Sequence, residues 1–160
     1  MQPVMETILH RRSIRRFAPE QIREETLAQI LQAGLYAPSA GGRQGGLFAV
    51  CQDRAVNTRL GKIKRANAKP RMAKNGNYVS REQPSIADDP HLTDAFYGAP
   101  TVIVVLADRS RPTWVEDGSL ALGNLMNAAH ALGLGSCWIH RAREVFDSPE
   151  GQALLHQWGL

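Results

Sequence analysis

Apolar positions along the chain fall into two spacings, and these divide it into helices and strands. Leu27, Ile30, Leu31 and Leu35 recur three and four residues apart, with Glu24 and Glu25 in the first turn where the helix dipole favours acids. The spacing predicts an amphipathic helix over 22–36, stopped by Pro38. A short helix over 4–9 precedes it, running toward a break at Phe17-Ala18-Pro19, because the residue before proline avoids helical backbone. Val56, Leu60 and Ile63 give a third helix. Residues 115–132 carry apolar side chains on most of the circumference, with Glu116 and Asp117 at the start and Gly133 just past the end, and form the expected core helix. Ser148-Pro149 reads as a capped helix start, and Gly159 as the C-terminal cap of a helix that runs to Trp158.

Compact apolar runs of strand length occupy 47–51 (LFAVC), 101–106 (TVIVVL) and 135–139 (GSCWI). The second is β-branched almost throughout, which places it centrally in a sheet. Helices and strands thus alternate, an α+β or α/β sandwich with no internal repeat. Two stretches escape both spacings. Residues 37–46 (APSAGGRQGG) are either a binding loop whose glycines let backbone approach a ligand or a long flexible turn. Residues 66–92 carry Lys-Pro, Asn-Gly, Gln-Pro and Asp-Pro signals without periodicity, which suggests a mobile lid.

Composition narrows the class. With 160 residues, 43% hydrophobic and 21% charged, the chain is expected to be one ordinary domain over 1–160, and disorder of the whole is not expected. Cys51 and Cys137 lack disulfide or zinc-ligand spacing, so no metal is expected and a reducing compartment fits. No run approaches a membrane span, and a soluble, cytoplasmic protein with no membrane partner is expected. The net charge is only +4, yet nine lysines and arginines and no acid fall between Arg54 and Arg81. That block lacks aromatic interleaving and any nucleic-acid fold signature, so no nucleic-acid partner is expected.

The chemistry concentrates in HRRSIRRF, residues 10–17, where Arg11, Arg12, Arg15 and Arg16 surround Ser13. Guanidinium forks match phosphate oxygens and keep their charge, and a serine hydroxyl adds a neutral bond, so the cluster reads as an anion site. Were it helical, Arg11 and Arg15 would share one face and Arg12 and Arg16 a neighbouring one. The alternative is a solvated basic end to a short helix, favourable to the dipole. His130 reads as a core histidine. No nucleophile motif is present.

Taken together, RRSIRRF, APSAGGRQ, GAPTVIVV and ALGLGSCWI resemble, in order and spacing over nearly the whole chain, the FMN-dependent nitroreductase family. The resemblance implies a nitroreductase-like three-layer α/β/α sandwich with a mixed, mainly antiparallel sheet, in an obligate homodimer. It implies FMN at the subunit interface and NADH or NADPH as reductant, passing hydride through flavin N5 in a ping-pong cycle to a flat acceptor such as a nitroaromatic or quinone. A flavin-binding or sensing protein without turnover is the alternative. By the same resemblance Arg11, Arg12, Ser13 and Arg15 hold the flavin's phosphate, ribityl chain and pyrimidine edge. Pro38, Ser39 and Ala40, with Gln44 near them, reach FMN from the other subunit. Trp138, Ile139 and His140 lay backbone against the N5 edge, and no side chain is catalytic, His140 included. The basic block, through Lys62, Lys64 and Arg65, is expected to steer anionic substrates. Gly42, Gly45 and Gly46 stand where the family usually has asparagine and Pro-Trp, which predicts a looser loop, and the chain is expected to lack the family's usual C-terminal strand and basic tail.

Overall fold

The computed structural model describes residues 2–68 and 81–160. Element order is α1 (Pro3–His10), α2 (Glu24–Leu35), β1 (Gly46–Cys51), α3 (Arg54–Ala66), β2 (Val102–Ala107), α4 (Trp114–Ala131), α5 (Arg143–Phe146) and α6 (Pro149–Gln157). The contacts divide into two compact units.

The first unit comprises Met1–Ile14, Glu20–Cys51 and Ile103–Trp138. Its core is the seam between α2 and α4, where Ile30, Leu125 and Ala129 are buried against Phe48 of β1 and Ile103 and Val105 of β2. Gly34 permits that seam. A Cβ there would stand 2.7 Å from Leu125 Cδ2 and 2.8 Å from Phe48 Cε2, so any larger residue would have to turn those side chains aside. Asn124 Nδ2 donates to the Ala33 carbonyl at 3.0 Å, which satisfies a polar group inside the seam. β1 and β2 pair side by side, and the start of β1 at Gly46 faces the Leu106 carbonyl near the end of β2, an antiparallel arrangement.

The second unit comprises Arg15–Pro19, Gln52–Val102 and Ile139–Leu160. Asp53 caps α3 by accepting from the Ala55 and Val56 amides. Leu60 and Val145 are fully enclosed, and each such side chain contributes about 1.5–3 kcal/mol by leaving water. Asn57 is buried and donates to the Pro100 carbonyl at 3.2 Å, fixing the approach to β2. Gly61 faces the Asp94 carboxylate, which accepts from the Phe96 and Gly98 amides to close a turn. On α6, Ser148 Oγ accepts from the Gly151 amide, and Gly159 adopts a left-handed φ of 76°, as the sequence predicts.

The α+β expectation holds, and the predicted helices are found within two residues of their expected ends. Helix α1, expected over 4–9, runs to His10, and the backbone turns extended at Arg11 (φ −57°, ψ 134°), so the break falls there and not at Phe17-Ala18-Pro19. The strand expected over 135–139 reduces to a single parallel bridge between Ser13 and Ser136, with Ile14 N donating to Ser136 O at 3.0 Å. Among the described residues it finds no longer partner. Helix α5, a single turn, was not anticipated.

The basic block is also corrected. Its first half is helix α3, and Lys64 is only 5% exposed, paired to Glu144 at 3.5 Å. Arg65 donates to the carbonyls of Leu92 (2.8 Å) and Pro90 (3.4 Å). Two of the three cations assigned to steering therefore hold the fold, while Lys62 is exposed. The lid expectation falls largely on residues 69–80, which lie outside the described residues; residues 81–92 form hydrogen-bonded turns, with Ser85 Oγ donating to Asp88 at 2.7 Å.

Glu144 also accepts from Arg141, and this hydrogen bond, ahead of the Lys64 charge, holds its carboxyl below the ordinary 4.5 despite opposition from burial. Unfolding returns the carboxyl to its ordinary value, so the ionised form contributes stability above about pH 4.5 that fades as pH falls through the lowered folded value. Glu144→Gln is expected to flatten the acid limb of a melting-temperature profile between about pH 3 and 6. An unchanged limb would remove Glu144 from acid sensitivity.

Candidate functional site

From Arg11 on the arginine cluster is not helical, so Arg11 and Arg15 do not share a helix face. Two local causes end the helix. Arg12 Nη1 donates to the carbonyls of Leu9 (2.8 Å) and Arg11 (2.9 Å), satisfying groups that the last turn leaves open. The Ser13–Ser136 bridge then draws the chain straight. Gly135 makes this possible, since a Cβ there would stand 2.9 Å from Ile14 Cβ. The first and last motifs of the sequence thus lie side by side within the first unit.

Beside that bridge two polar atoms are buried without a partner among the described residues, Arg11 Nη1 and Ser136 Oγ. An unpaired guanidinium nitrogen away from water is costly, and such atoms in a folded protein call for a ligand or ordered water. Sequence reasoning picked out Arg11. It missed Ser136, whose only signal was its place in the GLGSCWI run.

Arg15 and Arg16 belong to the second unit and are held by Gln83. Its Oε1 accepts from the Arg15 amide (2.5 Å) and the Arg16 amide (3.0 Å), and its carbonyl accepts from Arg15 Nη1 at 2.9 Å. The Arg15 guanidinium lies 6.0 Å from the Tyr97 ring centroid, at the edge of cation–π range. Tyr97 itself takes φ 58°, a conformation that bulky residues avoid, and its hydroxyl accepts from the Ile86 amide. Gln83 was legible only as half of a Gln-Pro turn signal.

The glycine-rich stretch is a built loop rather than a loose one. Gly41 and Gly42 take φ of 65° and 64°, and Gln44 takes 46°. Ser39 Oγ accepts from the Gln44 amide at 2.8 Å, Gln44 Nε2 donates to the last-turn carbonyl of Leu35 at 3.0 Å, and Ala40 N donates to Asp117 Oδ1 at 3.0 Å. A left-handed φ at 41 and 42 suits glycine, and these hydrogen bonds tie the loop at Ser39, Ala40 and Gln44. Pro38 and Ala40 are exposed and Ser39 half-buried on this loop. A cleft of about 250 Å³ opens between it and the start of α4, where Arg43 and Arg111 are balanced by Asp108 and Asp117. Ser110 holds the Asp108 carboxyl below its ordinary value by hydrogen bonding, so the cleft has no net charge to attract an anion.

Trp138 ends the first unit with 45% of its surface exposed, and Ile139 and His140 begin the last segment of the second. His140 is exposed in a turn, and Arg141 after it takes a left-handed φ of 63°. Among the described residues no group of acids, histidines and cysteines is placed to hold a metal, and no helix is long and apolar enough to cross a membrane.

The chain is similar to known proteins. The nitroreductase family model matches residues 8–148. A protein of Archaeoglobus fulgidus with the provisional name NADH dehydrogenase/NAD(P)H nitroreductase is 32% identical over 87% of this chain and 68% of its own length. One of Methanothermobacter thermautotrophicus with the same provisional name is 30% identical over 92% and 70%. The crystal structure of a nitroreductase with bound FMN from Bacteroides fragilis superposes with a TM-score of 0.79 at 29% identity, over all of this chain and 81% of the other. With a family match that runs from the end of α1 to the cap of α6, this chain belongs to the nitroreductase family.

Proposed function

We propose that the chain is an FMN-dependent oxidoreductase that takes reducing equivalents from NADH or NADPH and delivers them, in a ping-pong cycle, to a flat acceptor such as a nitroaromatic or a quinone. Family membership, the names of the two relatives and the FMN in the Bacteroides fragilis structure support this reading. The observation that carries it on this chain is the buried, unpartnered Arg11 Nη1 beside the Ser13–Ser136 bridge. FMN fits there, because its anionic phosphate and its reducible pyrimidine edge both favour a guanidinium donor.

In this reading Arg11, Ser13 and Arg15 hold the cofactor, and Arg12 braces the turn that presents Arg11. Pro38, Ser39 and Ala40 approach it from a second copy of the chain, with Gln44 locking their loop. Trp138, Ile139 and His140 present backbone to it. When bound, FMN supplies the redox chemistry through N5, so no side-chain nucleophile is required. A homodimer is part of the proposal. Helix α1 rests on α4 and has no buried residue, leaving Val4, Met5, Ile8 and Leu9 about half or more exposed, as are Val115 and Leu120 of α4. Such a concentration of exposed apolar side chains suits a partner surface. Two cysteines with no disulfide between them suit a reducing, cytoplasmic setting.

Purified protein is expected to be yellow, with an absorption band near ~450 nm that bleaches on adding NADH or NADPH, and to give parallel double-reciprocal plots as acceptor is varied. A yellow protein that does not bleach would be a binder without turnover. A colourless protein that rejects added FMN would end the reading.

A further inference from the structure

We infer that Gln83 is a positioning residue for the cofactor site, acting through Arg15; this rests on the FMN reading above. The argument starts from backbone. Residues 15 and 16 lie outside any helix or strand, and among the described residues no strand pairs with their amides; a free amide pair leaves such a segment able to rotate. Gln83 Oε1 takes both amides, at 2.5 and 3.0 Å, from a position 68 residues along the chain. The same residue's carbonyl takes Arg15 Nη1 at 2.9 Å. One residue therefore fixes Arg15 at its backbone and at its guanidinium together, while the Tyr97 ring limits it on another side. Ile86 N donates to the Tyr97 hydroxyl, which ties that ring to the same turn region as Gln83.

This double hold matches what a guanidinium needs if it is to meet a ligand without first being ordered. A free arginine loses much of its rotamer freedom on binding, and a pre-set one does not. A glutamine suits the task because its carboxamide oxygen accepts two hydrogen bonds and brings no charge to cancel that of Arg15. Glutamate preserves the acceptor and methionine preserves the shape without it.

The test titrates apo-protein with FMN and follows the quenching of flavin fluorescence for the parent, Gln83→Met, Gln83→Glu and Arg15→Ala, and for the Arg15→Ala/Gln83→Met pair. Gln83→Met is expected to weaken FMN binding about tenfold, and Gln83→Glu, which keeps the acceptor but sets a negative charge beside Arg15, to weaken it less than Gln83→Met does. The double variant is expected to bind no more weakly than Arg15→Ala alone, because a residue that acts through Arg15 has nothing left to position. Should Gln83→Met fail to fold, Gln83→Asn, one methylene shorter, must show the same loss. Parent-like affinity in Gln83→Met, or losses that simply multiply in the double variant, would overturn the inference and leave the FMN reading standing. A parent chain that does not bind FMN would overturn both.

Discussion

Replacing Arg11 with methionine is expected to weaken FMN binding by about 10- to 100-fold while leaving the melting temperature of the apo-protein unchanged or raised. The two halves of this expectation have one cause. Arg11 Nη1 is buried with no hydrogen-bond partner among the described residues, so in the absence of a ligand it contributes a desolvation cost and no compensating bond. An apolar side chain of similar length in its place removes that cost. With an anion present the balance reverses, since a hydrogen bond between charged groups contributes about 1.5–3 kcal/mol and each 1.4 kcal/mol is a factor of ten. Arg12→Ala is the contrast. Arg12 Nη1 already serves the Leu9 and Arg11 carbonyls, so its loss falls first on the end of α1, by about 0.5–1.5 kcal/mol. Isothermal titration with FMN and thermal melting of both apo-variants would separate the cases. An Arg11→Met protein that binds FMN like the parent would place the cofactor away from this cluster.

The contrast between Arg11 and Arg12 also marks where the sequence stopped being legible. Helices α2, α4 and α6 could be read because each carries a complete local signal: an apolar face, acids or a serine at the start, and a proline or glycine just beyond the end. Helix α5 has four residues and no period to detect; it forms because Val145 and Phe146 are buried against α3 and α6. The stretch 135–139 has strand composition, yet pairing needs a neighbour, and among the described residues only Ser13 is offered to it. The arginine cluster was rightly singled out as chemistry, but its shape depends on that same distant bridge and on Gly135. Spacing within eight residues could not show that one arginine would cap a helix, one be left unpartnered and one be clamped by Gln83. The basic block misled for a related reason, since a charge count does not distinguish exposed Lys62 from Lys64, which α3 turns toward Glu144.

Gly151→Ala is expected to destabilise the protein by about 3 kcal/mol, lowering its melting temperature by about 6–12 °C. Alanine in a helix is ordinarily better than glycine by up to about 1 kcal/mol, so propensity alone predicts the opposite sign. Packing decides it. A Cβ at position 151 would lie 2.1 Å from the Val145 carbonyl oxygen and 2.6 Å from Phe146 Cα, both backbone atoms. That backbone cannot yield easily, because Val145 and Phe146 are buried, the Val145 carbonyl accepts from Ser148 Oγ at 2.5 Å, and the Phe146 carbonyl accepts from Gln152 at 2.6 Å. Relief would require α6 to move off α5. Gly34→Ala provides the scale: its Cβ would meet Leu125 Cδ2 and Phe48 Cε2, ends of side chains that can rotate, so a loss of only about 1 kcal/mol is expected. The order of the two variants in a thermal melt is therefore the diagnostic quantity. If Gly151→Ala melts with the parent, or above Gly34→Ala, the close seating of α6 on α5 is wrong, and with it the support for Glu144, which pairs Arg141 and Lys64 from the same short helix.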